Sequence, residues 1–248
     1  MIWQPIQDPE LGCLSYIIGD PITGEALVVD PLGAVGLEQY ILTAQDLGVN
    51  LVKVIETHVH ADHASCAREL ASTLGVPHAL SRHAPASFVF EPLQDGDHWQ
   101  MGQVDVTIWE TPGHTPDSIS VLVADVRRGQ DPWLVLTGDS LFVGDVGRPD
   151  LADPNPEAIL RASRDQYHSV RRLMSLPDYT EVWPAHYGSS PCGGLFMDKK
   201  PNSTIGYERR FNPFVQMEDV ETFIAQQQRL LKPPPAEAAE LRRKNLGL

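Results

Sequence analysis

The sequence predicts a layered α/β fold, and three observations carry that prediction. Strand-like and helix-like stretches alternate in its first third, its middle is rich in strands, and a long helix opened by Pro156 follows. At 248 residues and 42% hydrophobic content, the chain is long enough to bury a sizeable core.

The elements follow in order. Residues 14–18 and 26–30 are short apolar runs split by Gly19, Asp20, Pro21 and Gly24, which reads as a hairpin. From Leu37 to Leu47, apolar side chains recur at 37, 40, 41, 44 and 47, one helical face closed by Gly48. Leu51 to Ile55 reads as a buried strand, and 64–74 as a helix stopped by Gly75 and Pro77. Strands are predicted over 104–109, 118–124 and 133–138, then a helix from Pro156, a favoured first-turn residue, to about Leu176. Glu181-Val182-Trp183 is a last short strand. The Gly- and Pro-rich stretch 187–216 reads as irregular, 218–231 as a helix, Pro233-Pro234-Pro235 as a stiff spacer, and the remainder as a charged tail or docking arm. The implied organisation is a catalytic domain over 1–190, a segment and helix over 191–232 packed on it, and a spacer and tail over 233–248.

Nineteen basic against 33 acidic residues give a formal charge of -14, which disfavours nucleic acid and anionic membranes as partners. No apolar stretch approaches the roughly 18 residues that span a bilayer. Three cysteines without paired spacing argue against a disulfide framework. With no signal peptide in residues 1–10, a cytoplasmic location is expected.

The chemistry concentrates in Thr57-His58-Val59-His60-Ala61-Asp62-His63, four metal-ligand side chains in six residues directly after a strand. In an extended segment His58 and His60 point to one side, and Asp62 and His63 lie where the chain turns toward a helix. Imidazole and carboxylate together suit zinc, iron or manganese. His114, Asp139 and His186 repeat the arrangement, each after an apolar strand and beside a Gly or Pro turn. His78, His83, His98 and His168 lack that context and read as surface or packing residues.

The order HxHxDH, TPGHT, GD and PAH resembles the metallo-beta-lactamase superfamily from about residue 12 to 190. The resemblance implies a four-layer αββα sandwich with metal at one edge. His58, His60 and His114 would surround one metal and Asp62, His63 and His186 a second, with Asp139 between. A narrower resemblance lies in Gly138–Asp150, Lys200–Arg210 and Ala67–Ala71, which are similar to the persulfide dioxygenase branch. That branch implies one Fe(2+) per chain on His58, His114 and Asp139. The reaction implied converts a small thiol persulfide, of glutathione type, and O2 to sulfite and free thiol. Asp62, His63 and Tyr187 are then catalytic candidates, and Arg148, Asp150 and Tyr207 substrate-binding candidates. Physically, Arg148 suits a substrate carboxylate or a structural pair with Asp145 or Asp150. A homodimer is a candidate assembly, because members of that branch often pair. The rival is a dinuclear zinc thioester hydrolase of glyoxalase II type, which would use the same residues with two Zn(2+). Cys66 stands where the superfamily often has glycine, and reads as a small buried residue.

Overall fold

The computed structural model describes residues 1–188 and 190–248. Among the described residues twelve strands form two six-stranded sheets. The first holds β1 (Ile2–Asp8), β2 (Cys13–Asp20), β3 (Glu25–Val29), β4 (Asn50–Ile55), β5 (His78–Ser81) and β6 (Glu91–Leu93), in that spatial order. The second holds β7 (His98–Met101), β8 (Val104–Glu110), β9 (Ile119–Asp125), β10 (Leu134–Gly138), β11 (Glu181–Pro184) and β12 (Ser203–Thr204), also in chain order. Both sheets are mixed. In the first, β3, β4, β5 and β6 run parallel. In the second, β10 and β11 run parallel.

The inner faces of the sheets meet in one apolar layer that includes Leu14, Leu27, Ile55, Val106, Val121 and Leu136. Truncating one such side chain to alanine costs about 2–5 kcal/mol, the lost transfer energy plus a cavity. Helices α1 (Leu37–Asp46) and α2 (Ala67–Leu74) cover the outside of the first sheet through Tyr40, Ala44 and Leu70. Helices α3 (Pro156–Leu173), α4 (Ile205–Phe211) and α5 (Val220–Leu230) cover the second through residues such as Val170, Leu173, Ile205 and Phe223. The layers are therefore αββα. Among the described residues no helix is long and apolar enough to cross a membrane.

Local chemistry accounts for the helix ends. Pro156 occupies the first turn of α3, and Asn155 caps it by accepting from the Glu157 N–H at 2.9 Å. Asp219 caps α5 in the same way. Gly48 and Gly75 stop α1 and α2 with positive φ.

Several boundaries differ from the sequence expectation. Helix α2 begins at Ala67 rather than 64, because residues 61–66 are drawn into the ligand-bearing loop. Helix α3 ends at Leu173, three residues early. The stretch 187–216 is not wholly irregular, since it contains β12 and α4. Strands β1, β5, β6 and β7 were not anticipated: three are too short to show a period, and β1 carries Pro5, which an edge strand tolerates. The charged residues 238–245 form a helix, α6 (Ala238–Asn245), docked on the body of the fold through Ala238, Arg242 and Leu246.

Candidate metal centre

Four loops converge at one end of the sandwich. They follow β4, β8, β10 and β11, and carry His58 to His63, His114, Asp139 and His186 respectively. Backbone hydrogen bonds stitch the two sheets together there. Ile119 N–H donates to the Thr57 carbonyl at 2.8 Å, Leu14 N–H to Ala185 at 2.8 Å and Tyr187 N–H to Gly12 at 2.9 Å.

The first cluster joins His58, His114 and Asp139, all fully buried. Asp139 Oδ2 lies 3.6 Å from His58 Nε2 and 3.4 Å from His114 Nε2. None of these three atoms has a hydrogen-bond partner among the described residues. The other ring nitrogens do. His114 Nδ1 donates to the Arg148 carbonyl at 2.8 Å. His58 Nδ1 lies 3.0 Å from Thr57 Oγ1, whose own proton goes to Asp30 at 2.8 Å, so His58 is the donor. Both rings are thus held with the Nε2 lone pair facing Asp139. Burial pushes His58 well below the ordinary imidazole pKa, helped by neighbouring His60, and burial also lowers His114. Two neutral imidazoles and a carboxylate, all orphaned and buried, fit a divalent cation.

Glycine is required beside this cluster. A Cβ at Gly147 would lie 2.0 Å from the Asp139 carbonyl oxygen and 2.9 Å from His114 Cβ. Gly138, with φ of 52°, would bring a Cβ to 2.7 Å from Thr57 Oγ1.

The second cluster joins Asp62, His63, His186 and Cys13. Here Asp62 is engaged by both imidazoles, while His63 Nε2 and His186 Nε2 have no hydrogen-bond partner among the described residues. His186 Nδ1 lies 2.6 Å from Asp139 Oδ1, His186 Nε2 2.7 Å from Asp62 Oδ2, and His63 Nδ1 3.0 Å from Asp62 Oδ1. Burial opposes charge on His186, yet Asp139 and Asp62 outweigh it and raise its pKa well above the ordinary value. His60 stands apart from both clusters. Its ring lies 4.2 Å from that of His58, on the same side as the extended spacing predicts, but its Nε2 donates to Asp30 Oδ1 at 3.2 Å.

The remaining candidates are spread out. Arg148 and Asp150 form a buried two-pronged pair, at 2.7 Å and 2.8 Å. Arg148 also donates to the Pro191 and Lys232 carbonyls, so four of its five N–H groups have partners among the described residues. Arg148 edges a cavity of about 400 Å³ lined also by Asp145, Gln227, Lys232 and Pro233. Tyr187 turns away from the clusters and donates to Gln7 at 3.4 Å. Tyr207 lines a separate surface depression with Lys200 and Asn202. Cys66 is buried beside the Leu32 carbonyl, and burial raises its thiol to about 12. His78 pairs with Glu56 at 2.7 Å, His98 pairs with Asp105, and His168 is exposed.

Sequence reasoning passed over five residues at this end of the fold. Asp30 directly follows β3, with a positive φ of 50°, and shares the strand-end position that marked Asp139. Cys13, Asp117, Arg242 and Asn245 carried no local signal.

Residues 8–186 match the Metallo-beta-lactamase superfamily. A crystal structure of a metallo-beta-lactamase from Staphylococcus aureus has a TM-score of 0.89 and 31% identity, covering 99% of this chain and 72% of that one. The crystal structure of ETHE1 from Myxococcus xanthus has a TM-score of 0.83 and 30% identity, covering 100% of this chain and 99% of that one. The mitochondrial persulfide dioxygenase ETHE1 of Bos taurus is 30% identical over 233 residues, covering 92% of this chain and 81% of that protein. With the sandwich, the converging strand-end ligands and a family match running through them, this chain belongs to the metallo-beta-lactamase superfamily.

Proposed function

We propose that the protein is an iron-dependent persulfide dioxygenase, converting a low-molecular-weight thiol persulfide, O2 and water to sulfite, free thiol and protons. Glutathione persulfide is the substrate we favour. The observation that supports this is the state of the carboxylates: Asp139 Oδ2 is unpartnered and faces the unpartnered Nε2 atoms of His58 and His114, while both oxygens of Asp62 are engaged by His63 and His186. Two histidines and one carboxylate are the donor set of non-haem iron oxygenases. The likeness to the two ETHE1 proteins, one of them named a persulfide dioxygenase, supports the same reading.

Iron, when bound, supplies the dioxygen chemistry. The chain's own residues do the rest. Thr57 and the Arg148 carbonyl fix the two imidazole rings. His186 holds the second oxygen of Asp139 and ties it to Asp62 and His63, a polar network able to hold water and take up protons. Arg148 keeps one N–H for a carrier carboxylate at the cavity edge, and Asp150 orients it. Tyr187 and Tyr207 face other partners and carry no step. We read residues 1–190 as the catalytic domain.

A dinuclear zinc thioester hydrolase is the second reading, favoured by the convergence of Asp62, His63 and His186 beside Asp139. One experiment separates the two. The purified protein is assayed for bound iron and zinc, for oxygen uptake with glutathione persulfide, and for hydrolysis of S-lactoylglutathione. Iron with oxygen uptake is expected. Stoichiometric zinc, no oxygen uptake and thioester turnover would overturn the proposal.

A further inference from the structure

The loop that carries His58, His60, Asp62 and His63 contains almost no regular structure, so its shape is imposed by what surrounds it. Part of that surrounding is α6, drawn from a stretch whose sequence shows only charge. Arg242 Nη1 donates to the Val59 carbonyl at 2.9 Å, and its Nη2 donates to Asp117 Oδ1 at 3.1 Å. The other oxygen of Asp117 accepts the Val59 N–H at 2.7 Å. Both backbone groups of Val59, the residue between two ligand-type histidines, are thereby taken by one buried Asp–Arg pair.

Three residues further on, Asn245 does the same for the rest of the loop. Its Nδ2 donates to the carbonyls of His60 and His63, each at 2.9 Å, and its Oδ1 accepts the Ser65 N–H at 3.1 Å. One side chain thus satisfies three backbone groups spread over six residues. Arg242 and Asn245 lie on the same face of α6, one turn apart, as the helical period requires. Few apolar anchors hold that face down. Leu246 packs with Val59 and Leu80, and Ala238 with Ala61 and Phe142.

We infer that Arg242 and Asn245 are positioning residues for the metal centre: through the backbone at Val59, His60, His63 and Ser65 they preset the ligand loop before metal arrives. Neither touches the metal site itself. They act one step further out, on the backbone that aims the rings, where loss of a supporting group typically weakens metal binding about 10- to 100-fold. The role requires only that the loop help bind a metal, and is the same for persulfide oxidation and thioester hydrolysis.

Cobalt(II) is the probe, titrated into metal-free full-length protein against a competing chelator. Asn245→Ala and Arg242→Ala should each weaken cobalt(II) binding by about tenfold or more, while Arg242→Lys, which keeps a donor for Val59 and a charge for Asp117, recovers most of it. Arg243→Ala, on the exposed face of the same helix, should bind as the parent does. Asn245→Asp keeps the acceptor for Ser65 but loses both donors, and should weaken binding like the alanine variant. Cobalt(II) affinity within about twofold of the parent in folded Asn245→Ala and Arg242→Ala overturns the inference, as does equal weakening by Arg243→Ala. Should the alanine variants fail to fold, Asn245→Asp and Arg242→Lys decide it: parental affinity in Asn245→Asp, or no recovery in Arg242→Lys, overturns it. Absence of persulfide turnover in the iron-loaded parent, with the cobalt(II) affinities of the variants ordered as expected, counts against the proposed reaction and leaves this role standing.

Discussion

Asp139 presents its two oxygens to different neighbours: Oδ1 meets His186 Nδ1 at 2.6 Å, while Oδ2 faces the unpartnered Nε2 atoms of His58 and His114. One carboxylate therefore serves both clusters, and the engagement of Asp62 by His63 and His186, against the free Oδ2 of Asp139, sets the expected ligand hierarchy. His58→Ala, His114→Ala and Asp139→Ala should each remove bound iron, whereas His63→Ala should leave most of it. Metal analysis of the purified variants checks this. Complete loss in both His63→Ala and His186→Ala would mean that two metals share the site.

Gly147 offers a test of geometry that leaves every ligand in place. A methyl group there would press on the Asp139 carbonyl and on His114. Gly147→Ala should weaken metal binding by about tenfold or more, because the ligands are displaced rather than removed. Gly96→Ala is the comparator: it has open space around the new Cβ but a positive φ of 82°. It should cost about 1 kcal/mol of stability and leave metal affinity unchanged. Calorimetric metal titration of both variants separates crowding at the site from backbone strain.

The Arg148–Asp150 pair predicts two effects from one substitution. Arg148→Ala leaves a buried carboxylate alone, which typically costs about 3–5 kcal/mol. Urea denaturation reads that loss. In the folded fraction, KM should rise more for glutathione persulfide than for a small persulfide lacking the carrier carboxylates. Equal increases for both substrates would assign Arg148 to structure alone.

Cys66 should be chemically quiet. Its thiol is pushed up to about 12 by burial, so at pH 8 the thiolate fraction is on the order of one in ten thousand. Iodoacetamide should label it at pH 8 only after denaturation, as mass spectrometry of the peptide would report. Cys66→Ala should keep its iron and its oxygen uptake, and a variant that lost either would point to a redox role for the thiol.

The site was legible in the sequence where chemistry and local pattern coincide. His58, His114, Asp139 and His186 each end an apolar strand beside a turn, and strand ends are where layered folds gather ligands. The division of labour among them was not legible, because whether His60 faces a metal or Asp30 is settled by a neighbour just after β3. Arg242 and Asn245 were invisible for the same reason. They sit in a run of charge, and their partners lie about 180 residues earlier in the chain. Among the elements, β5, β6, β7 and β12 escaped because a period of two needs more length to show, whereas the equally short β11 was marked by its apolar Val182-Trp183.

The candidate ligands are divided between the two halves of the sandwich. His58 hangs from the first sheet, while His114 and Asp139 hang from the second. An ion held by all three is a cross-link between distant parts of the chain, and closing so long a loop restricts the unfolded chain as well as ordering the folded one. Resistance to heat should then track the concentration of free metal, and a chelator should loosen the ligand end of the sandwich while its opposite end stays shut.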